Sequence, residues 1–313
     1  ATLSAVTGPL ASYGLGSQTA SCSYTDSGGL TATATATYAI VDTTDPTFSC
    51  SPADTAWHAT DQSSSCTASD NVALASPAAF SLTTSVAAGT EDANASTGTA
   101  QVCDVAGNCV TAGPVSGWMI DKLAPTAIAF SSTLSGNYYF GSVPPAPTCT
   151  AVDGGSGLAS CVVTGYSAAV GAHTLTATAT DNVGNADTAT TSYTVLAWTV
   201  QGFYQPVDMG TGVVNTVKGG STVPLKFEVF AGPTELTATS VVTAFTQQKV
   251  PCAAGLAEDP VDVTSTGGTT LRYDVTAGQF IQNWQTPRSP GTCYNVTVKF
   301  QDGSSISAQF KLR

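Results

Sequence analysis

The chain has 313 residues, of which 21 are acidic and 9 are basic, so its formal net charge is −12. This charge argues against nucleic acid and anionic membrane surfaces as partners. The sequence has no run of 18 apolar residues, which predicts no membrane insertion, and no initiator Met or leader pattern, which is typical of a mature or trimmed product.

Small and β-branched residues dominate the chain, whereas Glu and Lys, which favour helices, are scarce. Thr alternates with small apolar residues through residues 30–41 and again through residues 174–180. An alternation of period two predicts half-buried antiparallel strands. The sequence therefore predicts an all-β fold, built as a rod of tandem immunoglobulin-like β-sandwich modules with a C-terminal β-sandwich module.

The first 42 residues contain one half of an internal repeat. Residues 16–41 align without a gap with residues 171–196, and Gly16 then meets Gly171. Each segment predicts a strand, a turn opened by Asp and a second strand. We interpret residues 1–42 as the second half of an immunoglobulin-like module.

No residues in this half module match residues 125–155, which open the later repeat. Half a sandwich leaves strand edges and an apolar face open. We expect polypeptide outside residues 1–42 to complete it, either upstream polypeptide or a neighbouring copy of the chain.

Short repeated segments that link one module to the next, which we call joints, and a change in net charge define the other predicted boundaries. Pro46 and Pro125 each follow a short Asp-containing joint, and Pro suits the first residue of a strand. The net charge is −12 over residues 1–197 and zero over the remainder. The predicted division is an incomplete module and two complete immunoglobulin-like modules, followed by a β-sandwich domain: 1–42, 43–121, 122–197 and 198–313.

Nine cysteines predict disulfides and an oxidising, extracellular setting, on a secreted or cell-surface protein. A metal site is the alternative, although no Cys-x-x-Cys pair or His cluster is present. Cys22 is left over, and we expect it to stay unpaired or to bond intermolecularly to the missing strands. Proximity predicts four bridges: Cys50–Cys66, Cys103–Cys109, Cys149–Cys161 and Cys252–Cys293.

Two resemblances follow from motifs. Residues 43–197 resemble bacterial immunoglobulin-like repeats of secreted and surface proteins, through Cys-Thr-Ala-Ser-Asp-Asn at 66–71, Cys-Thr-Ala-Val-Asp at 149–153 and Asp-Asn-Val-Gly-Asn at 181–185. Residues 198–313 resemble the PxKF domain of secreted bacterial proteins, whose naming motif is matched by residues 224–227. The second resemblance implies a place at the end of an extracellular multidomain protein and no established catalytic residues.

The last domain also has a predicted core of its own. Two runs alternate inward around Trp284, which we expect to anchor the core. Lys226 falls between inward positions and is predicted on the solvated face. The inward residues are Val223, Leu225, Phe227 and Val229, then Ile306, Ala308, Phe310 and Leu312.

Catalysis is not predicted. The chain has two His residues, and His173 aligns with Gln18, so that position does not require an imidazole. A Ser/His/Asp set can be drawn around His58, but in a chain this rich in Ser and Asp such sets arise by chance. No phosphate-binding loop is present.

Calcium is the one cofactor that the sequence suggests. Asp42, Asp45 and Asp121 lie at the joints, while Asp104 and Asp181 open hairpin turns at the end of a module. Carboxylates with backbone carbonyls are the ligands that Ca²⁺ prefers. The alternative is that these residues form turns and keep the surface soluble.

Aromatic residues suggest a second kind of site. Tyr138, Tyr139 and Phe140, in a Gly-flanked loop, are predicted as a contact for a glycan or cell-surface ligand. Trp118 and Trp198 fall at module ends, where we expect them to pack the joints.

The predicted function is a non-enzymatic extracellular structural or adhesive protein, a modular stalk or surface-filament subunit. The alternative is a carbohydrate- or receptor-binding accessory region of a larger secreted enzyme or phage fibre.

Overall fold

The computed structural model describes residues 1–210, 213–252, 261–262 and 270–313. These residues form β-strands and two 3₁₀ helices, Ala11–Tyr13 and Thr239–Val241, with no α-helix. No helix in the described chain is long and apolar enough to cross a membrane. The prediction of an all-β fold of tandem sandwich-like modules is confirmed, as Thr and Val favour the pleated strand.

The predicted first module, residues 1–42, forms a three-stranded antiparallel sheet in the order β1-β2-β3. The long hairpin turns at Asp26, whose Oδ1 accepts hydrogen bonds from the N–H groups of Gly28 and Leu30, each at 2.9 Å. The strands are Thr2–Leu3 (β1), Gly16–Thr25 (β2) and Thr31–Ile40 (β3).

The second module contains eight strands in three sheets, ordered β4-β6-β7, β5-β11-β8 and β9-β10. Ala95, Trp118 and Ile120 form a small buried apolar cluster in it. The strands are Thr47–Cys50 (β4), Trp57–His58 (β5), Ser63–Ser69 (β6), Ala79–Thr83 (β7), Glu91–Ser96 (β8), Ala100–Cys103 (β9), Cys109–Ala112 (β10) and Ser116–Asp121 (β11).

The third module has two sheets, ordered β12-β14 and β13-β17-β16-β15. Alternate residues of β16 are buried, as the Thr-Ala alternation predicts. The strands are Thr126–Phe130 (β12), Gly136–Tyr139 (β13), Cys149–Val152 (β14), Leu158–Thr164 (β15), Gly171–Asp181 (β16) and Ala186–Leu196 (β17).

The last module packs two larger sheets, ordered β18-β20-β25-β24, with β21 on β20, and β19-β27-β26-β22-β23. The strands are Thr199–Tyr204 (β18), Val214–Val217 (β19), Thr222–Ala231 (β20), Thr234–Glu235 (β21), Val242–Val250 (β22), Val261–Asp262 (β23), Arg272–Asp274 (β24), Gln279–Gln285 (β25), Cys293–Phe300 (β26) and Ser305–Leu312 (β27).

The core of this last module confirms the predicted inward residues. Trp284 is fully buried and contacts Phe310, with ring centroids 4.7 Å apart, and Phe227 stacks on Phe280 at 5.3 Å. Both predicted alternating runs are buried within the same cluster. Two sheets thus bury their inner faces against each other, as a sandwich requires.

Packing divides the chain into two compact units. The first contains residues 1–129, 149–162 and 178–188, and the second contains residues 130–148, 163–177 and 189–313. The predicted module boundaries stay predictions.

The four predicted cysteine pairs are bonded in the structure: Cys50–Cys66, Cys103–Cys109, Cys149–Cys161 and Cys252–Cys293. The first two each join residues that lie directly opposite each other in a β-ladder. Cys22 is free and exposed.

Candidate metal centres

Six aspartates form two groups of three in the first compact unit. Within each group, one carboxylate oxygen from each residue lies within 4.8 Å of the others. The members have matching places in the two repeats: the end of the preceding module, the end of the strand that carries a disulfide, and the start of a hairpin turn. We call them the first group (Asp42, Asp70 and Asp104) and the second group (Asp121, Asp153 and Asp181).

The hairpin turn of the first group explains how Asp104 is held. Its Oδ1 accepts hydrogen bonds from the N–H groups of Gly107 and Asn108, at 2.6 and 2.8 Å. Gly107 has a φ of +99°, which a residue with a Cβ rarely adopts. Asn108 donates its Nδ2 to Asp104 Oδ2 at 2.7 Å and to the Asp42 carbonyl at 3.1 Å. The turn therefore fixes the buried carboxylate and ties it to the joint.

The second group repeats this geometry almost atom for atom. Asp181 Oδ1 accepts the N–H groups of Gly184 and Asn185 at 2.6 and 2.8 Å. Asn185 Nδ2 donates to Asp181 Oδ2 at 2.7 Å and to the Asp121 carbonyl at 3.0 Å. The Asp-x-x-Gly-Asn sequence thus forms the same hydrogen-bonded turn twice, and in both cases its Asn bonds the carbonyl of the joint aspartate.

The joint aspartates are held by the backbone that follows them. Asp42 Oδ1 accepts the N–H of Thr44 at 3.0 Å. Asp121 accepts the N–H of Leu123 on Oδ1 at 3.1 Å and that of Ser156 on Oδ2 at 2.7 Å. Asp121 is fully buried, so both of its oxygens are removed from water.

Three carboxylate oxygens are buried without a hydrogen-bond partner among the described residues. They belong to Asp42 (Oδ2), Asp70 (Oδ1) and Asp153 (Oδ1). The other oxygen of Asp70 accepts the N–H of Val72 at 2.8 Å, and that of Asp153 accepts the N–H of Gly157 at 2.7 Å. A buried charged oxygen without a partner is costly, and a cation would satisfy it.

The electrostatics of the two aspartate groups also favour a bound cation. Within the described chain, the ion pairs join His58 to Asp54 and Lys122 to Asp61, so neither group contains a counter-charge. Burial raises the pKa of Asp153, against the effect of the Gly157 N–H, and the carboxylates of Asp121 and Asp181 raise it further. Burial also raises the pKa of Asp104, but the hydrogen bonds of its turn outweigh burial and hold that pKa below its ordinary value.

A fourth carboxylate borders the second group. Glu91 is paired with Asp121 across β8 and β11. A Cβ on Gly155 would lie 2.7 Å from both Glu91 Oε2 and Asp121 Oδ2. Glycine therefore lets the loop approach these oxygens, and any side chain at residue 155 would project between them.

The sequence-based choice of ligands is changed by the structure. Asp42 and Asp121 belong to different groups, and Asp45 is exposed and lies outside both. The residue before a proline favours extended backbone, in which successive residues point to opposite sides. Pro46 takes the buried position, which leaves Asp45 on the solvent side. Ala124 occupies the matching position before Pro125 at the next joint.

Asp70 and Asp153 are not among the predicted ligands, although each belongs to one of the two groups. Their signal is the shared pattern Cys-Thr-Ala-x-Asp at residues 66–70 and 149–153, which places an aspartate at the end of each disulfide-bonded strand.

The predicted aromatic cluster is used partly for packing. Tyr138 contacts Tyr193 edge-on at 6.1 Å, and Phe140 contacts Trp198 edge-on at 5.3 Å. Tyr139 lies over Gly232, whose Cβ, if present, would be 2.4 Å from the ring. The rings of Tyr139, Phe140 and Trp198 border a groove of about 560 Å³ in the second compact unit.

The two His residues have local partners. His58 Nε2 lies 2.8 Å from Asp54 Oδ1, and His173 Nε2 lies 2.6 Å from the carbonyl of Ala169. Neither contact involves a Ser or Cys side chain.

Comparison with known proteins gives remote structural similarity. No protein-family model matches the sequence, and no curated protein matches it. A tetra-tandem repeat from the extending region of a large adhesion protein is similar over 94% of this chain and 80% of its own, with 16% identity and a TM-score of 0.30.

Two further solved structures are similar at the same level. Cadherin domains 3–6 of protocadherin gamma B2 show 13% identity over 95% of this chain and 83% of theirs, with a TM-score of 0.24. A Ca²⁺-stabilised adhesin that helps an Antarctic bacterium reach out and bind ice shows 14% identity over 94% and 80%, with a TM-score of 0.26. These values assign neither a family nor a function, and the PxKF resemblance stays a prediction.

Proposed function

We propose that this chain is a non-enzymatic, extracellular structural and adhesive protein, a modular stalk or surface-filament subunit, whose repeat joints are held by calcium. The observation that carries the proposal is the recurrence of the three-aspartate group at equivalent places in two successive repeats. A hydrogen-bonded turn needs only one aspartate, whereas a bound cation needs several oxygens around one point.

The donor set suits calcium. All six grouped residues offer carboxylate oxygens, and neither group contains a thiolate or an imidazole. Calcium takes six to eight oxygen ligands in flexible geometry, and extracellular modules bind it with dissociation constants of about 10⁻⁴ to 10⁻³ M. Three carboxylates would be supplemented by backbone carbonyls and water, and in the second group by Glu91.

Calcium would crosslink three segments at each joint. Asp42 ends one module, while Asp70 and Asp104 belong to a strand end and a hairpin of the next. An ion bound to all three resists their separation, because pulling them apart breaks strong electrostatic contacts. The protein would thereby gain stiffness from extracellular calcium without a larger apolar core.

The joint ahead of residue 198 uses different contacts. Asp302, in the turn between β26 and β27, accepts the N–H of Trp198 at 2.6 Å on Oδ2. Trp198 donates its Nε1 to the carbonyl of Phe140 at 2.9 Å. Aromatic packing and hydrogen bonds hold this joint, so we expect it to be independent of calcium.

Disulfides support the extracellular placement. Four bonds are spread over three modules, and such bonds persist in oxidising compartments.

Force spectroscopy on the full chain, tethered at both ends, tests the structural role. With calcium at about 1 mM, the upper range for extracellular modules, two of the unfolding events should need more force than in a chelator. The events of the last domain should not change. Equal forces for all events in both buffers would contradict the proposal.

The groove bordered by Tyr139 and Trp198 favours a second candidate, a carbohydrate-binding accessory region. It exposes aromatic surface next to polar groups of Ser142 and Gln301. A glycan array on the intact chain tests this function. Binding that is lost in Tyr139→Ala would support the second candidate, and an array without any signal would count against it.

A further inference from the structure

The free edge of β3 lacks a strand that every other module has. In the second, third and last modules, a short strand pairs in parallel with the final long strand: β5 with β11, β13 with β17 and β19 with β27. β3 is the last strand of the first module and the edge of its sheet, and no described strand pairs with its outer side. Its backbone edge is therefore open to a further strand.

The first and third modules can be compared position by position. Strands β2 and β3 occupy the places of β16 and β17 at the offset of 155 residues. Gly16 and Gly171 even share an unusual backbone conformation, with φ of +141° and +138°. The third module thus shows what a completed hairpin of this type looks like.

The inner face of the hairpin is buried in one module and bare in the other. Ala179 is fully buried and Tyr193 is 2% exposed. Their equivalents, Tyr24 and Tyr38, are 73% and 42% exposed. Cys22 takes the place of Ala177, which is fully buried, and yet the thiol is exposed. The first module therefore presents to solvent a surface that its own repeat pattern places in a core.

The segment between Phe130 and Thr148 covers this face in the third module. Leu134 is 1% exposed and packs with Leu175, Tyr193 and Val195. The carbonyl of Leu134 accepts a hydrogen bond from Thr191 Oγ1 at 3.1 Å, and β13 follows directly to pair with β17. The segment thus closes the hairpin with one parallel strand and several apolar side chains, of which Leu134 is the most deeply buried.

We propose that the open face of β2 and β3 is a docking surface for a β-segment with the chemistry of residues 125–155, joined directly ahead of Ala1. The segment adds a parallel strand along Tyr38–Val41 and inserts an aliphatic side chain against Ala20 and Ile40, the equivalents of Leu175 and Val195. Cys22 is the next residue after Ala20 on the same face of β2. The proposal does not depend on calcium binding, because neither aspartate group includes a residue of this face.

A second copy of this chain is the weaker donor. Its own covering segments are in use, since Leu134 is buried and β5, β13 and β19 are each paired. Donating one of them would open a core in the donor as large as the one that it closes. A covalently attached segment avoids that loss and acts at a high effective concentration.

Cys22 is a built-in reporter for the test. A copy of residues 125–155 is fused ahead of Ala1 in the full chain, with Cys149 of the copy replaced by Ser so that no new thiol is added. The reaction of Cys22 with a disulfide reagent should slow by about tenfold or more, as expected for a group that reacts only after local opening. Amide hydrogen exchange of Tyr38–Val41 should slow in parallel.

The matched control carries the same fusion with the copied Leu134 replaced by Asp, which cannot enter the core and should leave Cys22 reactive. A synthetic peptide of residues 125–155, with the same Cys→Ser change, provides a second measurement if the fusion does not fold. It should protect Cys22 in the unextended chain, whereas a scrambled peptide should not.

Three results would overturn the proposal. Cys22 that stays fully reactive with both the fusion and the peptide shows that the face does not accept such a segment. Cys22 that is already unreactive in the dilute, unextended chain shows that the face is covered from within. Protection that rises with concentration of the unextended chain identifies a second copy as the occupant.

Discussion

Replacement of Asp70 by Asn separates metal binding from folding in the first group. The oxygen of Asp70 that accepts the N–H of Val72 is kept as an amide oxygen. The oxygen that is buried without a partner becomes an NH₂ group and can no longer bind a cation. The substitution thus changes the charge of the group while the turn hydrogen bond is retained.

The size of the expected stability change follows from the linkage between calcium binding and folding. With a dissociation constant of about 10⁻⁴ M, calcium at about 10 mM stabilises the folded form by about 2.7 kcal/mol per site. Loss of one of three carboxylates that weakens binding about tenfold lowers this gain to about 1.4 kcal/mol. In the calcium-free chain the substitution relieves repulsion with Asp42 and Asp104, so the melting temperature should stay level or rise.

Calorimetry of the full chain, with and without chelator, measures both effects. In a unit of this size, about 2.7 kcal/mol corresponds to a shift of about 5 to 11 °C in melting temperature. Asp45→Asn is the matched control, because Asp45 is exposed at the same joint and outside the group. A calcium-induced shift that is equal in the wild type, Asp70→Asn and Asp45→Asn would refute the reasoning, as would no shift in the wild type.

Three further predictions concern the core of the last domain, an ion pair and a disulfide. Trp284→Ala should destabilise the last domain by about 3 to 5 kcal/mol, measured by urea unfolding, because Trp284 is fully buried. The Lys122 ammonium lowers the pKa of Asp61. The Asp61 carboxylate therefore stabilises the fold above its ordinary pKa of about 3.9, and this stabilisation is lost as the pH falls through the lowered pKa. Lys122→Met should flatten this part of an acid-unfolding curve. Peptide mapping without reduction should recover Cys50 with Cys66, and recovery of Cys50 with Cys149 would contradict the fold.

Local patterns determine much of this protein. The alternation of Thr with small apolar residues specifies strands, because side chains of a strand alternate between two faces. Cysteine order indicates the same pairs that the structure contains, since each pair joins cysteines that are consecutive along the chain. Asp-x-x-Gly-Asn specifies its turn through the aspartate's own hydrogen bonds, a contact made within five residues.

Tertiary structure alone decides the composition of the aspartate groups. Asp45 is as good a ligand candidate as Asp42 in the sequence, and Pro46 leaves it on the solvent side. Asp70 and Asp104 lie 34 positions apart and meet only when a strand end and a hairpin turn reach the same end of the module. The sequence predicts that the first module is half of a repeat. Which face of it remains open is shown only by comparing equivalent positions: Ala177 is buried in the third module, whereas Cys22 is exposed in the first. Burial depends on neighbours that are distant along the chain, so the sequence pattern does not reveal it.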